Sequence, residues 1–404
     1  MVALVSDVVR RNRSILSYGL VVMTASHTLT HVFTWVHTAL FPILQDEFSL
    51  SLQQLGLIAA IPPLCQTILS IPTGLLSDKL GCRLMLVISM VIATLGAILA
   101  SQAGTPAVLI VAVSLIYINT TIYHPAAYSF ATRLFDPKNR LKALGLHGAG
   151  GTLGVALGPI SISILIGIFA LGWREVYLFW VIPLLLGIVA MLFVRSAPED
   201  DAPSDPSAGP VAPQVTSLFS TSLVLFLIYI GVRMMATSMS QSFMALYLVD
   251  DRGMSESFAS FVIGASTLVG ILAAPVGGFV AGRYGEKRWL LTVLTLAYAS
   301  FGLAILIPNQ AAFVILYLAY GFLNYLGMAA NSAIMARLSP GKRRGLAYAL
   351  FFLPSSIMGA LAPVMAASIA DTFSLASIFY VSTAVFFLSL VVLKVGVRVE
   401  YATG

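Results

Sequence analysis

Gly74-Leu-Leu-Ser-Asp78-Lys79-Leu-Gly81-Cys-Arg83 recurs in register as Gly278-Phe-Val-Ala-Gly282-Arg283-Tyr-Gly285-Glu286-Lys287, 204 positions later. Each copy follows a long apolar run. The same offset pairs Arg133 with Arg337, Arg140 with Arg344, Pro159 with Pro363 and Asp46 with Asp250. An offset kept without gaps means that one half of the chain repeats the other. Between the halves lies Ser196-Ala-Pro-Glu-Asp-Asp-Ala-Pro-Ser-Asp-Pro206, the start of a tract too rich in Pro, Ser and acid to build a packed core. The expected organisation is a first half over 1–195, a cytoplasmic linker over 196–216 and a second half over 217–404.

Working outward, 59% of the 404 residues are hydrophobic and 9% charged, with a mean hydropathy of +0.95. Soluble domains carry about 25% charged residues, so the chain reads as an integral membrane protein. About twelve apolar segments lie between residues 15 and 396, six in each half. Each is long enough to cross a bilayer as a helix, and too long and continuous for the alternating strands of a barrel. The expected fold is an all-α membrane protein, with twelve transmembrane helices in two six-helix parallel repeats. Nineteen of the 22 Lys and Arg residues cluster at one set of segment ends. Only Arg174 and Arg252 lie at the other set, and Arg233 lies within a segment. The positive-inside rule makes the rich side cytoplasmic, so both termini are expected inside an inner, cell membrane. The net charge of +6 is thereby topology, not a nucleic-acid surface. Cys65 and Cys82 make no case for a disulfide, and nothing in the sequence calls for a cofactor.

The loop after span two resembles the motif Gly-x-x-x-Asp-Arg/Lys-x-Gly-x-Arg/Lys of the major facilitator superfamily, and the likeness extends over nearly the whole chain. It implies that Gly74, Asp78, Lys79, Gly81 and Arg83 form a cytoplasmic gate, with Asp78 as its acid. A carboxylate near a helix N-terminus is favoured by the dipole, and Arg133 is the expected cation partner. The second copy departs at Gly282, where the acid is missing. Span five carries Gly145, Gly154, Gly158 and Pro159, which resemble the family's antiporter signature, with Ile162 in place of the closing Gly. Small residues allow close helix approach and the Pro bends the span, so export by antiport is the expected direction. Tyr123-His124-Pro125-Ala-Ala-Tyr128-Ser, together with a His-rich first span, looks like the fosmidomycin-resistance-type branch, whose members expel an anionic phosphonate antibiotic.

The chemistry at depth follows from what is present and what is missing. All sixteen acidic residues fall in tails, loops or the end turns of spans. Within spans the ionisable groups are His27, His31, His37, His124, His147 and Arg233. A cavity that is either neutral or positive suits an anion and disfavours a cation. Arg233 stays protonated, and its fork of donors suits carboxylate or phosphonate oxygens. Its repeat position, 29, falls between His27 and His31, so the pseudo-twofold is expected to set the three at one depth. The resemblance makes spans one, four, seven and ten line the cavity, which adds His124, Tyr123 and Asn324 to the substrate set. His37 aligns with Gln241, and both are assigned to the extracellular-side wall.

Histidine, with an unperturbed pKa of about 6.5, is the available proton carrier. His27, His31 and His124 are therefore the expected coupling groups. A metal site built on His27-x3-His31 with His124 is opposed by an Arg at the same depth and by the lack of a carboxylate, so no metal ligand is assigned. His27-Thr-Leu-Thr-His31 lacks the glutamate of a His-Glu-x-x-His enzyme, which argues against catalysis. The sequence thus points to a monomeric secondary transporter in the lipid bilayer, exchanging a small organic anion for protons. Proton-coupled import of a carboxylate metabolite, or movement of a metal or metal chelate through the His cluster, stand as the alternatives.

Overall fold

The computed structural model describes residues 17–134, 137–194, 220–338 and 344–399. Side chains are described at all of these except 71, 74–75, 77–79, 132–133, 137–142 and 344–352. The linker tract at 196–216 therefore lies outside the described residues.

Among the described residues every regular element is an α-helix. The chain begins with α1 (Tyr18–His31), α2 (Val36–Ala39), α3 (Phe41–Phe48) and α4 (Leu52–Leu80). There follow α5 (Cys82–Ser101), α6 (Pro106–Leu134), α7 (Pro137–Gly167) and α8 (Trp173–Leu192). Beyond the linker come α9 (Thr221–Asp250), α10 (Glu256–Tyr284), α11 (Glu286–Leu306) and α12 (Gln310–Leu326). The chain closes with α13 (Met328–Leu338), α14 (Arg344–Thr372) and α15 (Leu375–Gly396). The described residues form two compact units, one of 17–43 and 61–194, the other of 44–60 and those from 220 onward.

Among the described residues, eleven helical stretches are long and apolar enough to cross a membrane. Leu272, Phe279 and Val395 stand exposed on them, as expected where the surrounding solvent is lipid. The first apolar run differs, because it is cut into α1, α2 and α3. Ser17 starts α1 by accepting from Leu20 N, a common N-cap arrangement. After His31 the chain tightens, with Thr34 N donating to His31 O and Val36 N to Phe33 O. The Tyr117 hydroxyl donates to Thr34 O at 3.0 Å, occupying a carbonyl that a continuous helix would use internally. Pro42 then stands in the first turn of α3, where its missing N–H leaves no helical hydrogen bond unmade.

Two corners explain the glycine of the repeated motif. Gly81, between α4 and α5, has φ 79° and ψ 147°, while Gly285, between α10 and α11, has φ 88° and ψ 129°. That backbone region is open essentially to glycine alone. The two basic residues on the sparse side also have structural work. Arg174 donates to Ala103 O just past α5 at 2.7 Å. Arg252 donates to Ala304 O, Ile305 O and Ile307 O at the end of α11. Both satisfy carbonyls that a helix C-terminus leaves open.

Candidate functional site

The first unit gathers imidazoles. Residues four apart share a helix face, so α1 presents His27 and His31 together, and α6 brings His124 to them. His31 Nε2 lies 3.1 Å from His124 Nε2, and His27 Nε2 lies 3.4 Å from the same atom. His147 on α7 stacks on His27, with ring centroids 4.1 Å apart and planes 14° from parallel. The other ring nitrogens are anchored. His27 Nδ1 donates to His147 O at 2.7 Å, His124 Nδ1 to Thr120 O at 2.8 Å and His147 Nδ1 to Met23 O at 3.2 Å. His31 Nδ1 faces the Thr34 hydroxyl at 3.3 Å. Gln66 of α4 donates to Thr120 Oγ1 at 2.7 Å and so reaches the residue that holds His124. Tyr123 is buried and tied to Ser26 and Met23 O, and its ring stacks on His27. His27 and His147 are buried, whereas His31 and His124 keep part of their surface accessible.

A glycine seam makes this possible. A Cβ at Gly150, Gly154 or Gly158 would collide with the backbone of Thr24, Thr28 or Val32 respectively. Thr28 Oγ1 adds a bond to Gly150 O at 2.9 Å. A Cβ at Gly151 would stand 2.6 Å from His27 Cε1, so that glycine makes room for the ring. Gly145 of the signature lies off the seam, with nothing within 4 Å of a Cβ built there. Pro159 is buried beside the seam within α7. Gly150 and Gly151 were not singled out in the sequence, although the four-residue spacing of 150, 154 and 158 is legible there.

His37 stands apart on α2. It is buried against Tyr117 and Phe41, with no partner for Nδ1. A ring nitrogen from each of His27, His31 and His124 lies within 4.8 Å of the others, the one grouping of metal-donor types found among the described residues. Zinc sits about 2.0–2.1 Å from each imidazole nitrogen, which sets tetrahedral donors about 3.3 Å apart, and the 3.1 and 3.4 Å contacts to His124 Nε2 are of that size. Neither a carboxylate nor a thiolate joins them, however, and a divalent ion would bring two charges into an uncharged site at membrane depth.

The second unit contributes a cation. Arg233, midway along α9, donates from Nε to Tyr298 OH at 3.1 Å and from Nη2 to Asn324 Oδ1 at 2.9 Å. Its ionisable neighbours include the phenols of Tyr298, Tyr229, Tyr320 and Tyr325, and no carboxylate pairs with it among the described residues. Part of its surface stays accessible. Guanidinium has five N–H donors, so donors remain for a ligand. Tyr298, stacked on Phe386 at 4.3 Å, was not foreseen, and no motif in its span marks it. Gln241 donates to Tyr317 OH at 3.2 Å, also in this unit.

Of the expected gate, the side chains of Gly74, Asp78, Lys79 and Arg133 lie outside the described residues. Gly81 makes the corner already noted, and Arg83 is exposed on α5. In the second copy the acid missing at Gly282 is supplied four positions on. Glu286 opens α11 and accepts from Arg337 Nε at 3.0 Å and Nη2 at 2.7 Å. Lys287 donates to Lys394 O and Val397 O, closing the end of α15.

Comparison with known proteins gives four results. A family model described as Major Facilitator Superfamily matches residues 23–235 and 225–403. The chain is 26% identical to the Fosmidomycin resistance protein of Escherichia coli (strain K12), over 88% of this chain and 87% of the relative. It is also 26% identical to the Hexuronate transporter of Bacillus subtilis (strain 168), over 82% of each. Among solved structures, it superimposes with a TM-score of 0.80 on a bacterial homologue of the human lysosomal transporter Spinster in an inward-facing and occupied conformation. That match has 17% identity and covers 96% of this chain and 98% of the other.

Proposed function

Since this chain belongs to the major facilitator superfamily, and is therefore a multi-pass membrane transporter of a small molecule, we propose that it exchanges a small organic anion for protons. The direction proposed is outward across the cell membrane, by alternating access of a monomer with both termini cytoplasmic. The observation that carries the reading is Arg233, a permanent cation at mid-span held by a phenol and an amide instead of a carboxylate. Such a charge is costly in a membrane unless a counter-ion visits it. A bound carboxylate or phosphonate would take the donors that Tyr298 and Asn324 leave open.

His27, His31 and His124 carry the coupling proton in this reading, and no cofactor or metal takes part. The likeness to a fosmidomycin resistance protein supports an anionic, exported substrate. The hexuronate transporter, also 26% identical, supports a second reading, uptake of a carboxylate with protons, which uses the same charges in the opposite direction.

The test is transport into proteoliposomes holding the purified chain, with fosmidomycin, glucuronate and a monovalent organic cation offered under pH gradients of either sign. Anion flux that reverses with the gradient supports the proposal, and the sign of the coupling separates export from uptake. Flux of the cation alone would overturn it.

A further inference from the structure

We propose that the four clustered imidazoles hold one proton per chain, resting on His124 Nε2 and delivered through His31. This rests on the reading of histidine as the coupling group and adds the capacity and the atom. A carbonyl oxygen has no proton to give, so the contacts of His27 Nδ1, His124 Nδ1 and His147 Nδ1 with carbonyls fix hydrogen on all three atoms. When neutral, each of these rings therefore presents a bare Nε2. His27 Nε2 and His124 Nε2 then face each other at 3.4 Å with two lone pairs and no hydrogen between them. His147 Nε2 is buried with no partner. Only His31 is free to choose its tautomer, because its Nδ1 meets a hydroxyl that can donate or accept.

The neutral cluster thus lacks one hydrogen. With its proton on Nε2, His31 donates to His124 Nε2 and accepts from the Thr34 hydroxyl at Nδ1. An incoming proton binds His31 Nδ1, which then donates to Thr34 Oγ1 as that hydroxyl turns. The proton on His31 Nε2 passes across 3.1 Å to His124 Nε2. One proton has entered, His31 is again neutral, and the positive charge lies on His124. Its new N–H points at the lone pairs of His31 and His27, so the clash between nitrogens becomes a hydrogen bond. His31 and His124, the two rings in this path, are the ones that keep accessible surface.

A second proton has no such place. The ring centroids of His27, His31 and His124 are separated by 4.9, 5.1 and 5.4 Å, with His147 4.1 Å from His27. Among the described residues, the other titratable groups facing them are phenols, Tyr123 and Tyr128 from α6. With no anion in the cluster, a second cation would face the first unscreened.

The experiment is 15N NMR of the histidine rings in the purified full-length chain in lipid nanodiscs, titrated between about pH 8 and pH 5 across the ordinary histidine range. His37, outside the cluster, serves as a reference. The expected result is Nδ1–H tautomers at His27, His124 and His147 when neutral, and one imidazolium among the four at the acid end. That signal is lost in His124→Gln and kept in His147→Gln. Two or more imidazoliums together, a neutral Nε2–H tautomer at His27, or a signal that survives His124→Gln would overturn the inference while leaving histidine as the coupling group. If no ring in the cluster charges, the coupling reading itself falls. The wild-type count decides between these outcomes even if a variant fails to fold.

Discussion

Replacing Arg233 with Gln tests the anion site most directly. In the folded chain Nε donates to Tyr298 and Nη2 to Asn324, which leaves the Nη1 hydrogens and one on Nη2 for two parallel bonds to an oxyanion. Charge-assisted hydrogen bonds contribute about 1.5 to 3 kcal/mol each. Two such bonds, less the one neutral bond a Gln amide could restore, come to about 3 kcal/mol. That raises Kd by more than about 100-fold. Arg233→Lys keeps the charge without the fork and should lie between, near 10-fold. Folding should survive, because no carboxylate is left behind unpaired. Isothermal titration of the anion selected by the transport screen, with melting curves on the same samples, reads both quantities. A Kd within about threefold of wild type in a folded Arg233→Gln protein, a change of well under 1 kcal/mol, refutes the reasoning.

Three further outcomes are expected. His27→Gln with His31→Gln should leave anion exchange intact but flatten its response to a pH gradient, since His124 then has no histidine to relay or share its proton; an unchanged response in vesicle flux moves the coupling elsewhere. Glu286→Gln should lower the melting temperature by about 2 to 4 °C, for about 1 kcal/mol lost from a pair whose Arg337 side is 41% exposed and so partly screened by solvent. Adding Gly282→Asp, where a Cβ meets nothing within 4 Å, should recover part of that loss. Gly154→Leu should destabilise the chain by at least about 3 kcal/mol through collision with Thr28, whereas Gly145→Ala should be neutral or gain up to about 1 kcal/mol from helix propensity; equal melting curves for the two would contradict the seam.

Most of the architecture was readable because it depends on properties that repeat. Apolar runs and the 204-residue offset marked the helices, and the offset also paired Arg133 with Arg337. The break after His31 was not readable, because it depends on Tyr117, distant in sequence, occupying Thr34 O. His27 and His31 advertised themselves by their spacing and their cost at membrane depth. The stacking of His147 did not, since it required knowing which face of α7 meets α1. Gly282 suggested an ion pair lost from the second copy, yet the charge had moved to Glu286, where the corner at Gly285 opens a new helix. A motif read position by position cannot register an acid that stands four residues further on. Tyr298 was silent for a similar reason: a phenol in an apolar span looks like packing until its hydroxyl is seen against Arg233 Nε.

The glycine seam between α1 and α7 has a mechanical side. Most helix pairs meet through side chains, whose rotamers act as springs and let the axes drift apart by fractions of an ångström. Here backbone rests on backbone at Gly150, Gly154 and Gly158, so the spring is missing and the gap behaves like a fixed gauge. The stack of His27 on His147 spans that gap and inherits its tolerance. Stretching or thinning of the surrounding bilayer would reach these rings last, taken up first where α1 gives way to the turn after His31.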